Sequence, residues 1–127
     1  MRVMGTDLRS VARGRTIPRW EADHVLISKL AAGCARKLLA DGYSETTLGT
    51  YELTWGQFLA YLIGRGLADD LRHFTIEHVE GFRERLVEHG LHANTIGYRL
   101  GHLGTLAKFA MVSRDEKGRP LLATNPL

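Results

Sequence analysis

The sequence predicts an all-α fold, a compact four-helix bundle of helical hairpins with a basic N-terminal arm. Three observations predict it. Apolar residues recur at helical spacing over four stretches, caps or glycines stand at most of their boundaries, and no run alternates as a half-buried strand would. With 127 residues, 44% of them hydrophobic, the chain suits one domain that buries about two thirds of the surface its unfolded form exposes.

Residues 1–20 have no apolar periodicity and contain Gly5, Gly14 and Pro18, so they read as a flexible basic arm, with Trp20 as an anchor. The helical domain is expected over residues 21–113. Its first helix spans Glu21 to Ala40, with Ile27, Leu30, Ala31, Cys34 and Leu38 on one face, and Gly42 stops it. Ser44 is a good N-cap for a second helix that runs to about Gly64, its buried stripe being Leu48, Tyr51, Trp55, Phe58, Leu59 and Leu62. Thr75 caps a third helix, with Ile76, Val79, Phe82 and Leu86 inward and Gly90 ending it. The fourth begins near Ala93 and lasts to about Val112, with Ile96, Leu100, Leu103, Ala107 and Ala110 as its core side. Residues 114–127 are too polar and turn-rich to continue it and read as a turn followed by the start of a linker.

The fourth helix raises a difficulty, because NTIGYRLGHLGTLAKF carries Gly97, Gly101 and Gly104, and each glycine in a helix interior costs roughly 1 kcal/mol relative to alanine. At i, i+4 and i+7 they form a narrow strip beside the apolar stripe. Either the strip lets another helix pack tightly, or it lets a DNA backbone approach at Gly101.

Composition excludes several classes. Cys34 is the only cysteine, so no internal disulfide and no cysteine-based zinc site can form, which suits a reducing cytoplasm. On the apolar stripe it reads as an inert core thiol. No stretch approaches the roughly 18 uninterrupted apolar residues of a membrane span, and the start lacks the apolar core of a signal peptide. Six histidines are present, but none has a third ligand at suitable spacing, so no metal and no cofactor is expected. Nothing resembles a nucleotide-binding loop or a nucleophile with its base, and this chain is not expected to be an enzyme.

Charge is distributed unevenly: residues 1–20 net +4, residues 21–74 net −2, residues 75–91 net −2 and residues 92–127 net +3. The basic ends hint at a polyanionic partner. A sharper signal comes from the outer faces. At about 100° per residue, the second helix turns Thr46, Thr47, Thr50, Leu53, Thr54, Gln57 and Tyr61 away from its apolar stripe, a face with no charge. Opposite the core stripe of the fourth helix lie Asn94, Thr95, Tyr98, Arg99, His102 and Thr105, with Lys108 to one side, and no acid occurs between Glu88 and Asp115. The third helix displays Glu77, Glu80, Glu84 and Glu88 instead. Such sidedness suits phosphate and base-edge contacts from the acid-free helices, with the acidic one pointing away. A second buried face, against a neighbouring helix or a partner protein, would explain the same pattern.

From Ser44 onward, the order and spacing of several pieces resemble the core-binding domain of tyrosine recombinases, the phage integrase and Xer-like group. The pieces are Thr47, Tyr51, Phe58 and Leu59; then Phe74, Thr75 and Ile76; then Thr95, Ile96, Leu100 and Leu103; then Asn125 and Pro126. They cover about two thirds of the chain. Gly97 and Gly104 stand where that family commonly has polar or basic residues, and the basic arm is not a family constant.

The resemblance implies a SAM-like helical domain forming half of a clamp around double-stranded DNA at a recombination core site. It implies DNA contacts from Thr46, Thr47, Asn94, Thr95, Tyr98, Arg99 and His102, to which the acid-free outer faces add Thr50 and Lys108. The family's strand-exchange chemistry resides in a C-terminal catalytic domain after the Asn-Pro linker, where this chain ends, so no catalytic residue carries over, and Tyr43, Tyr51, Tyr61 and Tyr98 are not read as the nucleophile. The partners implied are DNA, that catalytic domain, and three further protomers in a homotetramer on DNA, the isolated domain being monomeric. A helix-turn-helix regulator and a helical protein-interaction module are the alternatives. The connection from Arg65 to Phe74 is long for the first, and the second predicts no salt-dependent DNA affinity.

Overall fold

The computed structural model describes residues 25–127, so the basic arm and the predicted first turn from Glu21 lie outside the described residues. Four helices follow one another: α1 (Ile27–Ala40), α2 (Glu45–Gly64), α3 (Ile76–Glu88) and α4 (Ala93–Val112), with a short 3₁₀ turn (Leu71–His73) between α2 and α3. Among the described residues there is no strand, only one isolated antiparallel bridge between Arg114 and Pro120. The fold is all-α.

Local chemistry accounts for the boundaries. Ser44 Oγ accepts the Thr47 amide at 3.1 Å and Thr75 Oγ1 accepts the His78 amide at 3.3 Å, so both predicted N-caps hold α2 and α3. Gly42 and Gly90, at φ of +99° and +80°, take the left-handed conformation that ends α1 and α3, and the next residue's amide returns to the helix in each case: Tyr43 to the Leu38 carbonyl, Leu91 to that of Leu86. At the start of α1 the preceding residue, Leu26, offers no side-chain cap. The cap comes instead from the α2–α3 connection. Asp69 accepts the Ser28 amide at 3.1 Å and the Ser28 hydroxyl at 2.5 Å, while the Leu71 amide bonds the Val25 carbonyl at 2.9 Å. Extended backbone at Val25 and Leu26 is thereby satisfied without helix.

α2 and α4 each pack against the other three helices. Their antiparallel seam is fixed by Gln57 meeting Arg99 and Thr54 meeting His102. Leu30, Phe58, Leu62, Leu103, Leu106, Ala107 and Ala110 are sealed from solvent, and Phe58 stacks on Phe74 and Phe82 at centroid distances of 5.4 and 5.5 Å. Cys34 is buried with them, and burial pushes its thiol up to about 11, which leaves it protonated and unreactive.

Two expectations are corrected here. Ile76 is 62% exposed rather than inward, because Phe74 fills the buried place at that end of α3. Thr54 and Tyr61 are buried rather than outward: the side of α2 at right angles to its apolar stripe is covered by neighbouring helices. Residues 114–127 contain the expected turn, held by Asp115, whose carboxylate accepts the Lys117 and Arg119 amides at 2.8 and 2.9 Å. Beyond it Leu121 and Pro126 are buried. The Leu121 amide bonds the Ser113 carbonyl at 3.0 Å, so this segment folds back onto the end of α4.

Candidate nucleic-acid interface

The α2–α4 seam turns one continuous surface to solvent. On α2 its middle is Gly49, Leu53, Gly56 and Ala60; on α4 it is Gly97, Gly101, Gly104 and Lys108. The antiparallel arrangement sets these two rows side by side. No atom lies within 4 Å of where a Cβ would stand at Gly49, Gly56, Gly97, Gly101 or Gly104. This overturns tight helix packing as the reason for the α4 glycines within the described residues; Gly97 and Gly101 are exposed and Gly104 is half-buried. A solvent-exposed helix face ordinarily carries lysine and glutamate. Here five positions carry no side chain at all.

Around this smooth strip stand most of the sequence-predicted residues. Thr46, Thr47 and Thr50 are exposed in the first turns of α2, where Thr47 Oγ1 accepts the Ser44 hydroxyl at 3.0 Å and Thr50 donates its hydroxyl to the Thr47 carbonyl at 2.7 Å. Asn94, Thr95 and Lys108 are exposed on α4, and Tyr98 is 72% exposed. Arg99 is half-buried in the seam, donating to Gln57 Oε1. That neutral acceptor orients the guanidinium without cancelling its charge.

The predicted residues do not converge on one point. With Gln57 level with Arg99, Thr47 lies level with the C-terminal end of α4, about 20 Å along the pair from Asn94 and Thr95 at a rise of 1.5 Å per residue. The structure therefore makes two polar clusters, one at each end of the glycine strip. No acid stands on the α4 row, whereas on α2 Glu52 lies beside the strip, about 60° around the helix from Gly49 and about 40° from Gly56. Glu77, Glu80, Glu84 and Glu88 are exposed on α3, where Arg83 and Arg85 partly neutralise two of them.

His102 is a correction. It is 6% exposed, not a surface residue, with Nδ1 2.8 Å from the Thr54 hydroxyl and its ring 4.2 Å from that of Tyr51. Its own carbonyl accepts the Trp55 indole N–H at 2.8 Å. Burial, and secondarily the Arg99 charge, hold its pKa below the ordinary histidine value, so it sits neutral in the seam. The error came from treating α4 as having one buried stripe. Position 102 is a turn from Leu106, and a helix with neighbours on two sides buries that pair as well, while Tyr98 one turn earlier stays exposed.

Sequence reasoning missed a second group, at the other end of the seam. Tyr61 is buried with the Arg65 and Arg85 guanidiniums 5.7 and 5.3 Å from its ring centroid, and its hydroxyl accepts from Arg65 at 3.1 Å. A Cβ at Gly81 would overlap that hydroxyl. Only the unexplained glycine in the middle of α3 hints at this in the sequence.

Among the described residues no group of three or more His, Cys, Asp or Glu side chains is placed to hold a metal ion, and no helix is long and apolar enough to cross a membrane. Comparison of the chain with protein-family models, with curated proteins and with solved structures gives no match.

Proposed function

We propose that this chain binds double-stranded DNA through the α2–α4 face, as the core-binding domain of a tyrosine recombinase whose strand-exchange chemistry is carried by a separate catalytic domain. The observation that supports the reading best is the exposed glycine strip flanked by Thr46, Thr47, Thr50, Asn94, Thr95, Tyr98 and Lys108, on the opposite charge regime from the glutamate-rich face of α3. Phosphates repel carboxylates and a duplex is a rigid rod. A surface that meets one closely must keep acids and side-chain bulk low over its middle, as the α4 row does, while donors at either end reach the two backbones or the base edges between them. The homotetramer and the catalytic partner belong to the same proposal, since one domain of this size covers only part of a recombination site.

Fluorescence anisotropy of a labelled duplex against the chain over a salt series tests this. Affinity falling steeply from low to moderate salt is expected, because several phosphates are neutralised. Undetectable binding at low salt refutes it. A second reading, a helical protein-interaction module, draws on the exposed Leu53 (57%) and Tyr98 on the same face; it predicts association with a protein and no salt-dependent affinity for DNA.

A further inference from the structure

A groove of about 400 Å³ opens where the C-terminal halves of α2 and α3 meet the start of α4. That volume lies within the range of sites for small ligands. Its walls carry Arg85 and His89 from α3, Arg99 from α4 and Gln57 from α2, over a floor that includes Tyr61 and Phe82, and no carboxylate lines it. Arg85 is held over the Tyr61 ring with Glu88 3.8 Å from its Nε, a loose pair in which both side chains are largely solvated. Arg99 spends one donor on Gln57 and keeps the rest of its fork. Arg65, 5.7 Å from the same Tyr61 ring, adds a third guanidinium nearby.

We propose that this groove is a phosphate-binding site, Arg85 and Arg99 clamping the anion, His89 adding a donor, and the Tyr61–Phe82 floor carrying the apolar part of the group to which the phosphate is attached. Two guanidiniums facing one opening suit phosphate better than a lone point charge, because each offers paired donors in a plane. The phosphate can come from a free mononucleotide or from the backbone of a duplex. The second source rests on the DNA-binding reading, since Gln57 and Ala60 line the groove and also border the glycine strip, so a backbone leaving that strip reaches the groove next.

The test uses the whole chain and four substitutions: Arg85→Gln and Arg99→Gln in the groove, Arg83→Gln on the outer face of α3 as a control, and Arg85→Lys to separate charge from the planar fork. Adenosine 5′-monophosphate is titrated while amide shifts are followed by NMR, and a labelled duplex is titrated by anisotropy. Saturable shifts at the end of α3 and the start of α4, weakened at least 10-fold by either groove substitution and unchanged by the control, support a mononucleotide site, whether or not the duplex binds. No response to the nucleotide, together with a 5-fold or greater loss of duplex affinity in Arg85→Gln that Arg85→Lys restores only in part, supports a backbone-phosphate site. No response to the nucleotide and a duplex affinity insensitive to Arg85 overturns the groove while leaving DNA binding standing. Binding of neither ligand overturns both. Because Arg85 packs on Tyr61, circular dichroism of each variant accompanies the titrations, and Arg99→Gln gives an independent reading should Arg85→Gln unfold.

Discussion

Replacing Gly101 by alanine should make this protein more stable and a poorer DNA binder. Gly101 lies in the middle of α4, is exposed, and has no atom within 4 Å of the position a Cβ would take. Alanine there meets nothing, restricts the unfolded chain and gains the helix propensity that glycine lacks, together about 1 kcal/mol. For a domain of this size such a gain raises Tm by about 4 °C. Gly97 and Gly104 are equally unobstructed, so the triple alanine variant should gain more than the single one, up to about 3 kcal/mol if the neighbouring sites add. Thermal unfolding followed by circular dichroism at 222 nm measures this, and duplex anisotropy on the same samples measures the other half. The reasoning predicts a higher Tm, with affinity lower in the triple variant and lower still in Gly101→Leu, whose side chain would stand between the helix and the DNA backbone. A lower Tm in the monomeric variant would refute it, because that would mean the strip is packed. Unchanged affinity in Gly101→Leu would refute the functional use of the strip even if stability rose.

Other outcomes follow from the same structure. Gly81→Ala should destabilise by about 1–3 kcal/mol, as overpacking in a filled site does, because its Cβ overlaps the Tyr61 hydroxyl; Tyr61→Phe should relieve most of that loss in a chemical-denaturation cycle. Stability should fall on acidification below about pH 6.5. The pKa of His102 is depressed in the folded chain, so between its folded and unfolded values the unfolded state binds the extra proton, with a slope of at most about 1.4 kcal/mol per pH unit for one group. His102→Gln should flatten the urea midpoint over pH 5–7, a window well above the one in which Asp115, whose pKa the Arg119 amide depresses, loses its contribution. Arg99→Ala should weaken duplex binding more than Arg83→Ala, since Arg99 lies in the α2–α4 seam whereas Arg83 pairs with Glu80 on the outer face of α3. Equal losses in anisotropy would remove the argument from sidedness.

The helices were legible in the sequence because their signals are local. Ser44 and Thr75 cap as side chains of their own turns, Gly42 and Gly90 end helices through their own backbone conformation, and the stripes Leu48–Leu62 and Ile96–Ala110 point where a 3.6-residue period puts them. What was not legible depends on which helix lies beside which. The cap of α1 comes from Asp69, 41 positions away from Ser28, so the sequence around Glu21 to Leu26 could not reveal where that helix starts. His102 and Thr54 read as outward residues until α2 and α4 lie antiparallel, when they face each other at 2.8 Å. The candidate face was half legible: the absence of acids from α4 is written in the chain, but the pairing of the two glycine rows and the roughly 20 Å between its polar ends are properties of the packing. The Arg85–Arg99 groove joins residues of three helices, and no spacing along any one of them indicates it.

The most direct measurement is an NMR titration of the ¹⁵N-labelled chain with a short duplex at low salt, each perturbed amide assigned to its helix. Binding through the α2–α4 face predicts perturbations concentrated at residues 46–57 and 94–108, with the exposed side of α3 at Glu77, Glu80 and Glu84 silent. Shifts centred on α3, or none anywhere at saturating duplex, would contradict it.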